Sequence, residues 1–204
     1  MKKLSKNKVI LCSIFLLIFI FVAFIVLIDK NRVVDKSIYN FIMCFRCSFL
    51  DKYFTFITHF GDTVFIVGFV SGFILLSRNI YGVLMGVSAT DSAIMTFVLK
   101  HIFVRNRPNH LRLIKQGGYS FPSGHSMISV CVYGYLLYLV LKIKNKALKY
   151  ILSCLLIFLI ISIGISRIYV GVHYPTDVIA GYSLGIVEVI LLIEALRLYK
   201  IRGN

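Results

Sequence analysis

Three short polar stretches interrupt an otherwise apolar chain, and their residue types suit phosphate chemistry. In chain order they contain Lys100 and Arg107, then Pro-Ser-Gly-His at 122–125, then Arg167, His173 and Asp177. Fixed cations can hold a phosphate dianion, and histidines can attack phosphorus or transfer protons. Together the stretches predict a site for phosphoryl transfer.

The predicted phosphate-binding residues come from all three stretches. Lys100, Arg107 and Arg167 supply fixed positive charge, and an arginine can grip phosphate with two hydrogen bonds at once. Ser123 and Gly124 follow a proline at the predicted start of a helix, where Ser123 can cap and Gly124 allows close approach. The free backbone N–H groups of a helix start bind anions. These five residues therefore predict one phosphate site.

The two histidines of the motifs can divide the chemical work. A nucleophilic histidine needs a partner that fixes its tautomer and stabilises its charge. Asp177 follows His173 by four residues, so we assign this pair as the nucleophile and its partner. His125 lies beside the anion site with no carboxylate near it in the sequence. We therefore expect His125 to be the general acid that protonates the leaving oxygen.

Two other functions use some of the same residues. A serine hydrolase could combine Ser123 or Ser166 with His173 and Asp177, but the chain lacks the GxSxG turn and the three cations would have no role. A phospholipid-binding or transport protein could keep the phosphate site without turnover. Release of inorganic phosphate from a lipid phosphate separates the enzyme from this alternative.

The elements that position these residues are predicted to be membrane helices. A crossing needs about 20 apolar residues, with about 17 as a practical minimum. Six segments qualify, and we expect them to form one all-α domain over residues 1–204. Between the first two crossings, the segment at 38–60 is rich in Tyr and Phe, and we expect it to be helical and to lie along the membrane surface. The six predicted crossings are about 9–28, 57–77, 80–99, 125–142, 149–165 and 178–196.

The threading brings the polar stretches to one face. The first two stretches lie between the third and fourth crossings, and the third joins the fifth and sixth. Connections from an odd to an even crossing always lie on the same side. The prediction of a shared site therefore does not depend on which side is cytoplasmic.

Composition and charge favour a membrane protein over a nucleic-acid-binding one. Of the 204 residues, 59% are hydrophobic and only 15% are charged, so the formal net charge of +15 has no soluble basic face to carry it. Short basic segments indicate the cytoplasmic side. Placing the N-terminal lysines and the 142–149 loop there puts the predicted site on the extracytoplasmic side. The lysines concerned are Lys2, Lys3, Lys6, Lys8, Lys142, Lys144, Lys146 and Lys149.

In these motifs the chain resembles the type 2 phosphatidic acid phosphatase (PAP2) superfamily. The pattern of that superfamily is K-x6-RP, then PSGH, then SR-x5-H-x3-D, and every position is matched. The matching residues are Lys100, Arg107, Pro108, Pro122, Ser123, Gly124, His125, Ser166, Arg167, His173 and Asp177.

The resemblance implies a metal-independent lipid phosphatase without a cofactor. In that family His173 would carry a phosphohistidine, His125 would be the general acid, and the cations with Ser123 and Gly124 would hold the phosphate. The compact chain looks most like bacterial phosphatidylglycerophosphatase B-type enzymes of the cell membrane, some of which cleave undecaprenyl diphosphate. Phosphatidate is a third candidate substrate. Haloperoxidases share the site pattern, but they are soluble, and six crossings argue against them.

Several polar residues have no place in the motifs. Cys44 and Cys47 form a single CxxC, for which packing is the default and a redox role or a disulfide the alternative. Asp91 and Glu188 fall inside predicted crossings, where a carboxylate is either functional or hydrogen-bonded within the bundle. Three histidines are expected at the membrane interface: His59, His101 and His110.

Overall fold

Helices form all the regular structure in the described part of the chain. The computed structural model describes residues 6–29, 32–108 and 112–202, so Lys2, Lys3, Lys30 and His110 lie outside it. The helices are α1 (Lys6–Ile28), α2 (Val33–Met43), α3 (Ser48–Ile57), α4 (Thr63–Ser77), α5 (Ile80–Phe103), α6 (Gly124–Ser129), α7 (Tyr135–Val140), α8 (Lys146–Tyr169) and α9 (Pro175–Arg202).

Four of these helices, α1, α5, α8 and α9, are long and apolar enough to cross a membrane. The pair formed by α3 and α4 would add a fifth crossing, although its two helices are bent by 51°. The α6–α7 segment, joined by a π-helical turn at Val130–Gly134, is a shorter apolar helix. The all-helical membrane architecture is thus confirmed for the described residues, and four helices, or five with the bent pair, have the length and apolarity of a crossing.

The second predicted crossing, at 57–77, differs most from the structure. A short 3₁₀ turn at Thr58–Gly61 follows α3, and α4 begins only at Thr63. The chain bends at Gly61 and Asp62, where a small and a charged residue interrupt the apolar run. The resulting α4 has 15 residues and is therefore about 22 Å long.

The aromatic segment at 38–60 is helical, but it is not one helix. Helices α2 and α3 are separated by a turn at Cys44 and Cys47, and both contact α8. The two cysteines are free thiols, and both are exposed. No disulfide therefore joins them, and their exposure on this turn does not support packing as their role.

Helices α8 and α9 are longer than the predicted crossings at 149–165 and 178–196. Arg167 is in the last turn of α8, and Asp177 is in the first turn of α9. Both are fully buried, so the helices continue through polar residues that the apolar pattern had placed in a loop. The connection between the helices is therefore only the short turn that carries His173.

Helix α9 lies at the centre of the bundle, against α1 and α6. Gly181 makes this approach possible, because a Cβ there would lie 2.6 Å from the carbonyl oxygen of Ser123. On the outside of α1, large apolar side chains such as Leu17, Phe21 and Phe24 are exposed. An apolar exterior around a close-packed centre is typical of a protein whose solvent is the bilayer.

Candidate active site

The three polar stretches come together at one end of the bundle. Nη1 of Arg107 lies 3.0 Å from Nε2 of His173, which joins the first stretch to the third. The backbone N–H of Ser123 donates to the carbonyl oxygen of Asp177 at 3.0 Å, which joins the second to the third. Lys100 and His125 line one cavity. The predicted convergence is therefore present in the fold.

His173 is held in the turn between α8 and α9 and is almost completely buried. Its Nδ1 lies 3.3 Å from Oδ2 of Asp177, while Nε2 faces Arg107. Burial lowers the pKa of His173 below its ordinary value, although Asp177 acts in the opposite direction. The imidazole is therefore neutral at pH 7, and a proton on Nδ1 would leave a lone pair on Nε2.

Asp177 is fully buried, and its carboxylate accepts hydrogen bonds from several groups besides His173. The backbone N–H of Tyr174 donates to its Oδ2 at 2.9 Å, and the hydroxyl of Ser120 donates to the same oxygen. Nη1 of Arg105 lies 2.5 Å from Oδ1. These donors fix the carboxylate as an anion in a single orientation.

Arg105 connects Asp177 to a second buried carboxylate, that of Asp35 in α2. Nη2 of Arg105 lies 2.5 Å from Oδ2 of Asp35. Asp35 in turn accepts hydrogen bonds from the backbone N–H and the hydroxyl of Thr176, in the first turn of α9. Burial alone would lower the pKa of Arg105, but the carboxylates of Asp177 and Asp35 outweigh it and raise the pKa. Neither Arg105 nor Asp35 belongs to the sequence motifs, and no spacing in the sequence joins them.

Two of the predicted phosphate ligands are guanidinium groups held by oxygen atoms of neighbouring segments. Nε of Arg107 donates to the carbonyl oxygens of Gly117 and Gly118, at 3.1 and 3.0 Å. Burial lowers the pKa of Arg107 to about 10, so it remains charged at neutral pH. Arg167 donates to Thr58 at 2.5 Å. These hydrogen bonds hold both guanidinium groups in place at the site.

Two cationic donors have capacity left for an anion. Nε of Arg167 is buried and has no hydrogen-bond partner among the described residues. Lys100 makes no ion pair with any carboxylate in the described part of the chain, and it lines the cavity beside Gln116. Uncompensated buried positive charge is costly, and a bound phosphate would relieve that cost.

Ser123 caps α6, as the sequence predicts. Its Oγ accepts from the backbone N–H of Ser126 at 3.4 Å and from the hydroxyl of Ser126 at 2.9 Å. Because its own N–H is bonded to Asp177, Ser123 has no free amide for an anion. Gly124 and His125 are the first residues of the helix, whose N–H groups have no intrahelical acceptor.

His125 is paired with a carboxylate that lies far from it in the sequence. Its Nε2 lies 2.8 Å from Oδ1 of Asp62, and Oδ2 of Asp62 lies 2.6 Å from Nδ1 of His59. Asp62 is 63 residues away in the chain. Asp62 belongs to no motif, and His59 was expected only as an interfacial residue, because no local pattern reports a contact at this separation.

A cavity of about 630 Å³ opens between α4 and α5 and reaches the site. At one end it is lined by Lys100, Gln116 and His125, and its remaining walls are mainly apolar or small. Residues that line this apolar part include Ile66, Val67, Val70, Ala89 and Ala93. The cavity therefore joins a cationic end to an apolar groove.

The residues outside the motifs divide into structural and unassigned groups. Glu188 accepts a hydrogen bond from Ser88 at 2.7 Å and contacts Cys131, which fits hydrogen bonding within the bundle. Asp91 is exposed on α5. Among the described residues, no group of three or more His, Cys, Asp or Glu side chains is arranged to hold a metal ion.

The sequence profile of the PAP2 superfamily matches residues 80–199, and the chain belongs to this superfamily. It is 34% identical to phosphatidylglycerophosphatase B of Bacillus subtilis over 161 residues, which cover 74% of this chain and 78% of the relative. It is 32% identical to an undecaprenyl-diphosphatase of Sulfolobus acidocaldarius over 110 residues, which cover 51% and 50%.

A solved structure supports the same assignment. The fold is similar to the crystal structure of a transmembrane PAP2-type phosphatidylglycerolphosphate phosphatase from Bacillus subtilis, with a TM-score of 0.83 and 28% identity. The similarity covers 91% of this chain and 96% of the other. The fold therefore agrees with the family that the motifs indicate.

Proposed function

We propose that this chain releases inorganic phosphate from a phosphorylated membrane lipid through a phosphohistidine on His173. As a PAP2 protein it is a metal-independent lipid phosphate phosphatase. The observation that carries the proposal for this site is the cavity, which joins Lys100 and His125 to an apolar groove between α4 and α5. A lipid phosphate has the same two parts, an anionic head and an apolar chain.

In the first step Nε2 of His173 attacks the phosphorus atom. The bond between phosphorus and the lipid oxygen breaks, and His125 gives its proton to that oxygen. In the second step a water molecule attacks the phosphorus, gives a proton to His125, and the nitrogen–phosphorus bond breaks. The products are the dephosphorylated lipid and inorganic phosphate, and both histidines return to their starting states.

Charge around the phosphate is balanced by residues from every predicted stretch. Lys100, Arg107 and Arg167 surround the phosphoryl oxygens, while Ser123 holds the helix start that presents the amide of Gly124. Arg107 donates to His173 in the free protein, and we propose that this donor moves to a phosphoryl oxygen when substrate binds. Asp177 stabilises the positive charge that develops on His173.

The proposed substrates are phosphatidylglycerophosphate and undecaprenyl diphosphate, with phosphatidate as a third candidate. The first two are supported by the names of the relatives, a phosphatidylglycerophosphatase and an undecaprenyl-diphosphatase. All three carry a terminal phosphate on an apolar anchor, which is what the cavity suits.

We further propose one domain over residues 1–204 with six crossings, formed by α1, α4, α5, α6–α7, α8 and α9. Helices α2 and α3 would lie along the membrane surface on the side of the site, because α3 leads into the Asp62 bend. The basic 142–149 loop supports a cytoplasmic position for the opposite face. The site would then face the extracytoplasmic side of a bacterial cell membrane.

Phosphate release tests the proposal directly. The detergent-purified protein is given the three lipid phosphates and a soluble phosphate monoester, with the His173→Ala variant as the control. We expect release from at least one lipid and none by the variant. Lipid binding without any release would instead favour a binding or transport protein.

A further inference from the structure

We propose that Asp62 is the positioning residue of the general acid His125, in the way that Asp177 serves His173. This inference rests on the proposed phosphatase function, and it concerns a residue outside the family motifs. Asp62 precedes residues 80–199, which the superfamily profile matches. The site would thus have a fourth component, contributed by the bend before α4.

The contacts of Asp62 are those of a histidine partner, not of a helix cap. Asp62 stands at the N-cap position of α4, where an aspartate ordinarily accepts a backbone N–H, yet its side chain makes no capping hydrogen bond. Instead, Oδ1 lies 2.8 Å from Nε2 of His125, and Oδ2 lies 2.6 Å from Nδ1 of His59. Both oxygens are therefore engaged by imidazoles.

The bend itself is shaped to receive the ring of His125. A Cβ on Gly61 would lie 2.8 Å from Cδ2 of His125, so only glycine allows this approach. The hydroxyl of Tyr133 donates to the carbonyl oxygen of Phe60 at 2.6 Å and fixes the turn. Nη1 of Arg167 donates to the hydroxyl oxygen of Thr58, in the same turn, at 2.5 Å. One segment thus positions both a proposed phosphate ligand and the proposed acid.

The orientation of the ring leaves one nitrogen for the substrate. Nε2 of His125 faces Asp62, whereas Nδ1 has no hydrogen bond to the described residues, and His125 lines the cavity. Nδ1 can therefore give its proton to the leaving lipid oxygen, and it can later take a proton from the attacking water. Asp62 keeps its hydrogen bond to Nε2 throughout and stays ionised.

The charges around His125 explain why such a partner is needed. Lys100 lines the same cavity as His125, and Arg167 donates to Gln116 on its wall, so both cations lie on the side of the site where they repel a positive imidazolium. Asp62 supplies the opposing negative charge in direct contact, and His59 is the other group that shares it. Without Asp62, the acid would have to hold its proton against two cations.

The test compares two substrates that differ only in the leaving oxygen. One is a long-chain alkyl phosphate, and the other is a nitrophenyl phosphate carrying an alkyl chain of equal length. In Asp62→Asn the hydrogen bond can remain but the charge is lost. We expect alkyl phosphate turnover to fall roughly 10- to 100-fold, because general acid catalysis as a whole contributes about 10²–10⁴-fold. The nitrophenolate burst needs little protonation and should change less than about threefold.

Two further variants separate this role from a structural one. In a His125→Ala background, adding Asp62→Asn should change alkyl phosphate turnover less than about twofold, because the group it serves is gone. Asp62→Glu should recover part of the rate. The matched control is His59→Ala, which removes the other partner of Asp62 and should leave the leaving-group dependence unchanged.

The results distinguish failure of this inference from failure of the proposed function. A wild-type protein that releases no phosphate from either substrate would refute the phosphatase proposal. An active wild type, with equal losses on both substrates in Asp62→Asn or with full additivity in the double variant, would refute the role of Asp62 alone.

Discussion

The two histidines of the site have similar partners and different surroundings. Each imidazole has one nitrogen against a carboxylate, His173 against Asp177 and His125 against Asp62. His173 is the more enclosed of the two, with 2% of its side chain exposed, whereas 15% of the His125 side chain is exposed and borders the cavity. These exposures fit the proposed roles, because the nucleophile is shielded from water while the acid can reach the oxygen of the leaving lipid.

The roles of the histidines make different predictions for their removal. His173→Ala removes the atom that accepts the phosphoryl group, so activity should vanish for every substrate. His125→Ala should lower lipid phosphate hydrolysis by roughly 10²–10⁴-fold but largely spare the first p-nitrophenol burst from p-nitrophenyl phosphate. Stopped-flow absorbance and phosphate release measure both. A burst that survives in His173→Ala would contradict the assignment.

The cations of the site predict that no metal ion is required. Lys100, Arg107 and Arg167 already supply the charge that a magnesium ion would provide at a phosphate. Activity should therefore be unchanged in excess EDTA, within about twofold. Magnesium-dependent recovery of activity after chelation would contradict this prediction.

At this scale, the motif residues were predictable and their supporting partners were not. Lys100, Arg107 and His173 lie within a few residues of helix ends, so their spacing and the threading were sufficient to bring them together. Asp62 and Arg105 act through contacts across 63 and 72 residues of chain. Such pairs depend on how helices pack, which local spacing does not determine.

Among the helices that carry no motif residue, α2 is coupled directly to the chemistry. Its Asp35 is buried, pairs with Arg105 at 2.5 Å, and accepts the backbone N–H of Thr176 at 3.0 Å. A carboxylate at the start of α9 also interacts favourably with the helix dipole. Helix α2 therefore helps to hold the end of α9 that carries Asp177.

Removal of Asp35 should therefore affect both stability and activity. Asp35→Ala leaves the amide of Thr176 and part of the charge on Arg105 without a partner, so we expect the free energy of unfolding in detergent to fall by about 2–4 kcal/mol. Phosphate release should fall with it. The control is Asp51→Ala on α3, whose side chain is 32% exposed, so that loss of its ion pair with Arg46 and of the hydrogen bond from Tyr169 should together cost about 1 kcal/mol. Equal losses in the two variants would contradict a special role for α2.

The bounds of a helix were predictable from the sequence where the length of its apolar run determines where it begins and ends. Helices α1 and α5 lie close to their predicted crossings because their polar ends coincide with their helix ends. Helix α8 extends past its predicted end to include Arg167, since buried hydrogen bonds replace the apolar pattern there. The bend at Asp62 was visible as an interruption, but its angle depends on contacts with α6 and α8.

For the whole molecule, the distribution of charge has a consequence for orientation. The site and the 142–149 loop lie on opposite faces of the proposed six-crossing arrangement. The loop carries four lysines and no acidic residue, which favours the cytoplasm. A phosphatase oriented in this way would meet its substrates in the outer leaflet.

Thiol labelling tests this orientation. In a background in which all five native cysteines are replaced, Lys115→Cys near the site should react with a membrane-impermeant reagent in intact cells. Lys144→Cys in the opposite loop should react only after the membrane is opened. The reverse pattern would place the site in the cytoplasm.

The short length of α4 has a consequence for the lipids around the protein. At about 22 Å, this helix is shorter than the roughly 30 Å hydrocarbon core of a typical bilayer, and it forms one wall of the groove. Such hydrophobic mismatch thins the adjacent bilayer. Local thinning would draw a lipid headgroup toward the level of His125 before the lipid leaves the membrane. In proteoliposomes, phosphate release should therefore be faster in short-chain than in long-chain phosphatidylcholine at equal substrate mole fraction, and a rate independent of chain length would contradict this consequence.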